Sequence, residues 1–232
     1  MSMAPHDTGF SPRGFFVTGT DTGVGKSLVA CALLHAYAAR GLRVVGMKPV
    51  AAGAEQRNGV WINDDVEQLV AAGNVAAPRE HVNPYCFEPP IAPHIAAELD
   101  NKAIEIKGLL ESYQQLSTLA DIVVVEGAGG FCVPLNASQS SADLAQRLGL
   151  PVVLVVGMRL GCLNHALLTA EAVRARGLRL AGWVANHIES AMPYAAENVA
   201  ALLQRLDAPL LVSIPYGAHT DVVGIAERFK NL

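Results

Sequence analysis

The 232-residue chain predicts a single α/β domain built on a doubly wound parallel sheet, and three observations carry that prediction. Short, mostly β-branched runs alternate with helix-forming runs along its length, the order that places crossover helices on a parallel sheet. The apolar run Phe15-Phe16-Val17 passes into a loop rich in Gly, Thr and Asp, which closes on Gly25-Lys26-Ser27 where a helix-forming stretch begins. Nearly every polar residue with chemical potential falls where an apolar run ends, the edge at which such sheets take ligands.

The elements follow in order. After the Phe15–Val17 strand, Leu28–Arg40 reads as a helix and Gly41 as its stop. Arg43–Met47 is a second strand; it ends at Lys48-Pro49, since Pro49 cannot continue a paired interior strand. Residues 51–65, AAGAEQRNGVWINDD, read as a polar loop, and a helix runs from Asp64-Asp65 to about Ala72. Ala77–Pro93 holds five prolines and reads as a long loop, a length that often marks function. His94 follows it and reads as a capping or surface residue before a catalyst. Ile104–Leu119 is a helix, Asp121–Glu126 a central strand, and Ala137–Leu148 a helix. Pro151–Val156 is a fourth strand, followed by a loop and a helix to Arg176. Leu178–Ala185 and Leu210–Ser213 are the last strands, with Tyr194–Leu206 and Val222–Phe229 helical.

Composition narrows the class. Half of the chain is apolar (51%), yet no run approaches the roughly 20 residues of a membrane span. Residues 1–13 read as a short polar tail without the basic start and apolar run of a signal peptide, leaving 14–232 as the domain. Cys31, Cys86, Cys132 and Cys162 form no C-x-x-C pair, which argues against a zinc site or a disulfide framework and fits a reducing cytoplasm. The net charge of −4, with no basic cluster, argues against nucleic acid as the main partner. Two of the five lysines, Lys26 and Lys48, stand at strand-to-loop edges in or near the Gly-rich loop.

That loop has the layout of a phosphate-binding loop: strand, glycines, then Gly-Lys-Ser opening a helix. Backbone N–H groups and the helix N-terminus favour an anion there, Lys26 adds a full charge, and the Ser27 hydroxyl can ligate magnesium. The strict pattern G-x-x-x-x-G-K-[ST] would place its first glycine at position 20; Thr20 stands there, with Gly19 one place early. Asp121–Glu126 delivers an acid to a strand end beside Gly127-Ala128-Gly129-Gly130, the arrangement that holds a metal or a metal-bound water, although a loop cap would also use it. Of the acid pair at the second helix start, Asp64 reads as the N-cap and Asp65 as the better candidate to face a metal; spacing alone does not choose between them. Ser27, Asp65 and Glu126 with the phosphate loop make a magnesium-nucleotide site, hence an ATP- or GTP-dependent enzyme or switch.

The segments FVTGTDTGVGKS at 16–27, GMKPVAAG at 46–53 and VVVEGAGG at 123–130 resemble the dethiobiotin synthetase family. So do residues 82–97, 151–170, 180–186 and 214–216, so that the likeness runs along nearly the whole chain. The loop with its glycine at 19 is that family's own form. The resemblance implies a P-loop ligase domain that uses Mg2+ and ATP, with 7,8-diaminononanoate and CO2 or bicarbonate as substrates. Position by position, it implies that Thr22, Lys26 and Lys48 bind the carbamate and the transferring phosphate. Residues Gly23 to Leu28 (Gly23, Val24, Gly25, Lys26, Ser27 and Leu28) cradle the nucleotide, and Ser27, Asp65 and Glu126 hold Mg2+. Asn186 reads the adenine edge, aided by the backbone near Pro215. It also implies a homodimer in which Leu160, Gly161, Cys162 and Asn164 meet the substrate's carboxylate tail across the subunit contact. Two departures stand out. Family members often carry Glu where Gly23 stands, and Ser where Ala52 stands in the substrate-binding segment; a lost hydroxyl at Ala52 removes a hydrogen bond of roughly 0.5–1.5 kcal/mol.

Two other classes fit less well. A cobyrinate-type amidoligase needs a glutaminase domain; none is expected after Leu232, and Cys162 lacks a nucleophile-elbow context. A ParA-like ATPase switch needs a basic patch or an amphipathic anchor, and Val222–Phe229 is short and weakly charged.

Overall fold

The computed structural model describes residues 13–218 and 221–229; most of the tail expected over 1–13 lies outside them. The strand β1 (Gly14–Gly19) leads into α1 (Lys26–Ala38), followed by β2 (Val44–Met47). Three short strands come next, β3 (Val50–Ala52), β4 (Glu55–Arg57) and β5 (Val60–Ile62), then α2 (Asp64–Ala72), α3 (Arg79–Val82), β6 (Tyr85–Phe87) and α4 (Pro93–Leu99). The second half runs α5 (Ile106–Leu119), β7 (Ile122–Glu126), α6 (Ser141–Leu148), β8 (Val152–Met158), α7 (Cys162–Ala175), β9 (Leu180–His187), α8 (Ala195–Arg205), β10 (Leu210–Ile214) and α9 (Val222–Ala226).

Six strands form one sheet in the order β10-β9-β8-β1-β7-β2, and every neighbouring pair is parallel. Strand alternation divides their side chains between two cores. Phe16, Val123, Val125, Leu154 and Val156 face the layer supplied by α5, α6 and α7. Phe15, Val17, Val124, Val153 and Val155 face α1, α2 and α9. Because both faces are covered, the central strands carry no polar alternation, as parallel sheets require. Each fully buried Leu or Phe side chain in these layers contributes about 1.5–3 kcal/mol. The two layers hold the sheet rigid and leave the strand C-termini open at one edge, where the site forms.

Four local expectations change. The polar loop over 51–65 contains β3 and an antiparallel β4–β5 hairpin, turned at Asn58-Gly59, whose φ values of 53° and 81° are both left-handed. The expected loop over 77–93 contains α3 and β6, and β6 pairs in parallel with β3. The N-cap of α2 is Asn63, whose side chain accepts from the Val66 N–H at 3.4 Å, and not Asp64, which is exposed and pairs with Arg57 at 3.1 Å. The helix expected from Ala137 starts at Ser141, behind a Ser140–Asp143 capping box.

Candidate active site

The phosphate loop spans the gap between β1 and α1. Gly25 caps α1 with φ 93°, and a Cβ added there would lie 2.3 Å from the Asn186 Nδ2 atom. That amide donates to the Val24 carbonyl at 2.8 Å and so pins the loop from β9. At the other end of the loop, a Cβ on Gly19 would lie 2.5 Å from Val24 Cγ2. Val24 folds back over the strand end, and this close approach accounts for the glycine at 19.

Lys26 is buried, and its ammonium donates to the Asp21 backbone carbonyl at 3.0 Å. Burial, helped by the nearby Lys48 charge, pushes the Lys26 amine down to about 8. The Asp21 carboxylate accepts the Thr22 N–H at 2.7 Å and pairs with Arg159. The Thr22 amide and Arg159 together hold Asp21 below the usual carboxylate range, against the effect of partial burial.

Opposite the loop stands a charged cluster on three elements. Glu126, at the end of β7, is 1% exposed. Its Oε1 accepts from the Ser27 hydroxyl at 2.8 Å and forms an ion pair with Lys48. Lys48 also pairs with Asp65 at 2.9 Å. Burial pulls the Lys48 amine down, but Glu126 and Asp65 outweigh it and the net shift is upward. Burial likewise raises Asp65, and Lys48 and Ser27 reverse it to a net lowering. Lys48 therefore remains charged, held by Asp65 and Glu126.

Pro49 ends β2 and leaves the Lys48 backbone to be held from outside the sheet. The Lys48 N–H donates to Val82 O at 2.8 Å, and the Asn83 side chain donates to Lys48 O at 2.6 Å and to Tyr85 O at 3.0 Å. Asn63 donates to Ala52 O at 3.2 Å. Sequence reasoning gave neither asparagine a role; Asn83 lies in the family-like segment 82–97 and precedes Pro84, and neither signal says that it holds the Lys48 backbone.

A cavity of about 740 Å³ lies between the loop and the cluster. Thr22, Gly23, Gly25, Lys26, Ser27, Lys48, Ala52, Asp65 and Glu126 all line it. Pro90–Pro93 and Ala128–Gly130 line it as well. At Gly23 no atom lies within 4 Å of an added Cβ, so the missing carboxylate leaves open cavity. Val24 is buried and offers its carbonyl to Asn186 instead. Leu28 does not line the cavity. Pro215 borders a neighbouring groove of about 530 Å³ with His187, Tyr216 and Arg228. Gly161, Cys162 and Asn164 begin α7 and do not border either space within one chain; the Cys162 thiol is packed in the core.

The residues present fit a magnesium ion. The Oε2 atom of Glu126 is buried without a hydrogen-bond partner among the described residues. Such an atom costs free energy unless a cation or water meets it. Ser27 Oγ and Asp65 complete a sparse oxygen set, the kind Mg2+ accepts while keeping waters. Among the described residues, no cluster of three or more His, Cys, Asp or Glu side chains offers a softer metal site.

A family model described as an AAA domain matches residues 13–222. An ATP-dependent dethiobiotin synthetase BioD of Nitrosospira multiformis is 60% identical over 209 residues, covering 90% of this chain and 91% of that protein. The same enzyme of Aromatoleum aromaticum is 53% identical, covering 94% and 97%. The chain belongs to the dethiobiotin synthetase family. Its sheet also superimposes on the septum site-determining protein MinD complexed with Mg-ADP from Pyrococcus horikoshii OT3, with a TM-score of 0.54, 18% identity and coverage of 94% and 88%. A ParA family ATPase from Chlorobium tepidum gives a TM-score of 0.54 at 13% identity, covering 94% and 92%. These two likenesses show the P-loop fold alone. Four of the segments that resemble the family, 16–27, 46–53, 82–97 and 123–130, contribute residues to the cavity.

Proposed function

We propose that the chain is an ATP-dependent dethiobiotin synthetase: it carboxylates an amine of 7,8-diaminononanoate and closes the ureido ring, releasing ADP and phosphate. One observation carries this reading. Two buried ammonium groups, Lys26 and Lys48, line the same cavity, beside a phosphate loop and two acids. A nucleotide site alone uses the first lysine. The second suits an anionic acceptor, and a carbamate is one.

The reaction proceeds in three bond changes. An amine nitrogen adds to CO2 and gives a carbamate. A carbamate oxygen takes the γ-phosphoryl group of ATP. The second amine attacks the carbonyl carbon of this mixed anhydride, and phosphate leaves as the ring closes. Lys26 and Lys48 bind the carbamate and phosphoryl oxygens and stabilise charge as it moves between them. Thr22 orients the acceptor from the loop. Backbone N–H groups of Gly23 to Leu28 cradle the phosphates, the Val24 and Leu28 side chains lying outside the cavity lining; Asn186 and the Pro215 backbone read the base. Ser27, Asp65 and Glu126 hold Mg2+, which when bound neutralises phosphate charge. The substrate tail reaches Gly161, Cys162 and Asn164 of a second copy in a homodimer; the nearly fully exposed Leu160 beside them supports a contact there. Only the backbone of Cys162 can serve, since its thiol is buried.

The test is direct. Purified protein is given diaminononanoate, bicarbonate and Mg-ATP, and ADP and dethiobiotin are measured. Diamine-dependent release of both supports the reading. ADP release indifferent to the diamine sinks it and favours an ATPase switch.

A further inference from the structure

Asp21 and Arg159 are 138 positions apart, and the sheet brings them together. β1 and β8 are adjacent and parallel, with Gly19 opposite Val155. Beyond the strand ends the register continues: Thr20 N–H donates to Val155 O at 2.9 Å, and Gly157 N–H to Thr20 Oγ1 at 3.3 Å. Asp21 follows Thr20 directly, Arg159 follows Gly157 by two residues, and the two side chains form an ion pair. Their side chains are 47% and 37% exposed, so the pair contributes little to stability. Its position is what sets it apart.

Asp21 lines the cavity and contacts three groups of the site at once. Its backbone carbonyl receives Lys26, one carboxylate oxygen receives the Thr22 N–H, and the other receives Arg159. Its charge has the wrong sign for its place. The cavity must admit phosphate and carbamate anions, and an uncompensated carboxylate on its wall repels both.

We propose that Arg159 is a positioning residue for the phosphate loop: it neutralises Asp21 and fixes the carboxylate that orders Thr22, so that the loop presents donors and not a bare negative charge to the anionic reactants. The inference deepens the function proposed above and rests on it for the identity of the acceptor.

A double-mutant cycle on the full chain tests it. Asp21→Asn keeps an oxygen for the Thr22 N–H and removes the charge that Arg159 offsets. Arg159→Ala is expected to lower kcat/KM for the diamine about tenfold, Asp21→Asn by no more than about threefold, and the double variant by no more than Asp21→Asn alone. Arg159→Lys is expected to recover most of the loss. Calorimetric Kd values for Mg-ATP, taken without diamine, are expected to follow the same cycle, so the inference is read even if the acceptor is another compound. Dethiobiotin formation by the unaltered chain separately tests the reaction. Three outcomes overturn the inference: losses that multiply, which place Arg159 on substrate itself; loss of all turnover in Asp21→Asn alone, which makes the carboxylate reactive; and no effect of Arg159→Ala on either readout.

Discussion

Removing Lys48 tests the charged cluster most sharply. Lys48→Ala leaves Glu126 without its ion-pair partner, and Glu126 is 1% exposed with one oxygen already unpartnered. Breaking a buried pair by deleting one member costs about 3–5 kcal/mol. The lower end applies here, for two reasons read from the structure. The Asp65 side chain is 40% exposed and can turn to water. The space vacated by the lysine opens onto the cavity, so water fills it and no dry void adds to the loss. A destabilisation of about 3 kcal/mol corresponds to a drop in Tm of about 6–12 °C for a domain of this size. Mg2+ is expected to restore part of it, because a cation meets the two freed acids and binds only the folded chain. It is expected to raise the Tm of the variant more than that of the unaltered protein. Turnover should fall at least about 100-fold, the scale of losing one preorganised charge at a developing anion. Thermal melts with and without Mg2+, beside ADP release, measure both. A variant with unchanged Tm and most of its activity would refute the assignment of Lys48 and the electrostatic argument together.

Lys26→Met should abolish turnover and stabilise the ligand-free protein at pH 7. The lysine is depressed from 10.5 to about 8, so the unfolded chain binds more protons between those values and stability rises with pH there; urea melts should show the variant's advantage fading from pH 8 to 10.5. Gly25→Ala should weaken ATP binding by at least about tenfold, a loss of about 1.4 kcal/mol measured by calorimetry, because its Cβ displaces the Asn186 amide that pins the loop. Asp143→Ala should cost about 1–2 kcal/mol at neutral pH by undoing the α6 cap. The Ser140 hydroxyl and N–H, aided by Arg176, hold Asp143 at about 2, so its contribution is present above its unfolded value of 3.8 and is lost as pH falls toward 2; denaturant melts at pH 7 and 3 should show the gap closing.

The six-stranded sheet was legible because its strands are buried on both faces, and a short β-branched run between turn residues has few other uses. Val123–Val125 and Val152–Val156 are of this kind. The β4–β5 hairpin was not legible for the opposite reason. Glu55, Gln56 and Arg57 are all exposed, so no alternation marks the strand; only Asn58-Gly59 signalled the turn. The α2 cap was misplaced by one residue because Asn63 and Asp64 are both good capping types. The backbone resolved the choice: Asn63 is extended (φ −119°, ψ 130°), the conformation an N-cap requires, and Asp64 is already helical.

The residues that bear on chemistry were legible in the sequence; the residues that hold them were legible only in space. Lys26, Ser27 and Glu126 announce themselves through local pattern, since each stands at a strand end or helix start whose type is recognisable. Lys48 and Asp65 lie on different elements, and the sequence does not state that they meet. Their pairing follows from β2 lying beside β7 and from α2 packing against β2 and α1. Asn83 and Arg159 lie in segments that resemble the family, but nothing in the sequence says what they touch. Each acts by closing a contact between segments that the parallel sheet sets side by side, Asn83 on the Lys48 backbone and Arg159 on Asp21. Charge sets how this site works before any ligand arrives. Two ammonium groups and an arginine are balanced by Asp21, Asp65 and Glu126, so an incoming phosphate or carbamate must take lysines from partners they already hold. Its binding therefore displaces the Asp21 backbone carbonyl from Lys26 and exchanges anions around Lys48, and the carboxylates released from Lys48 in that exchange are the two expected to meet the magnesium that accompanies ATP.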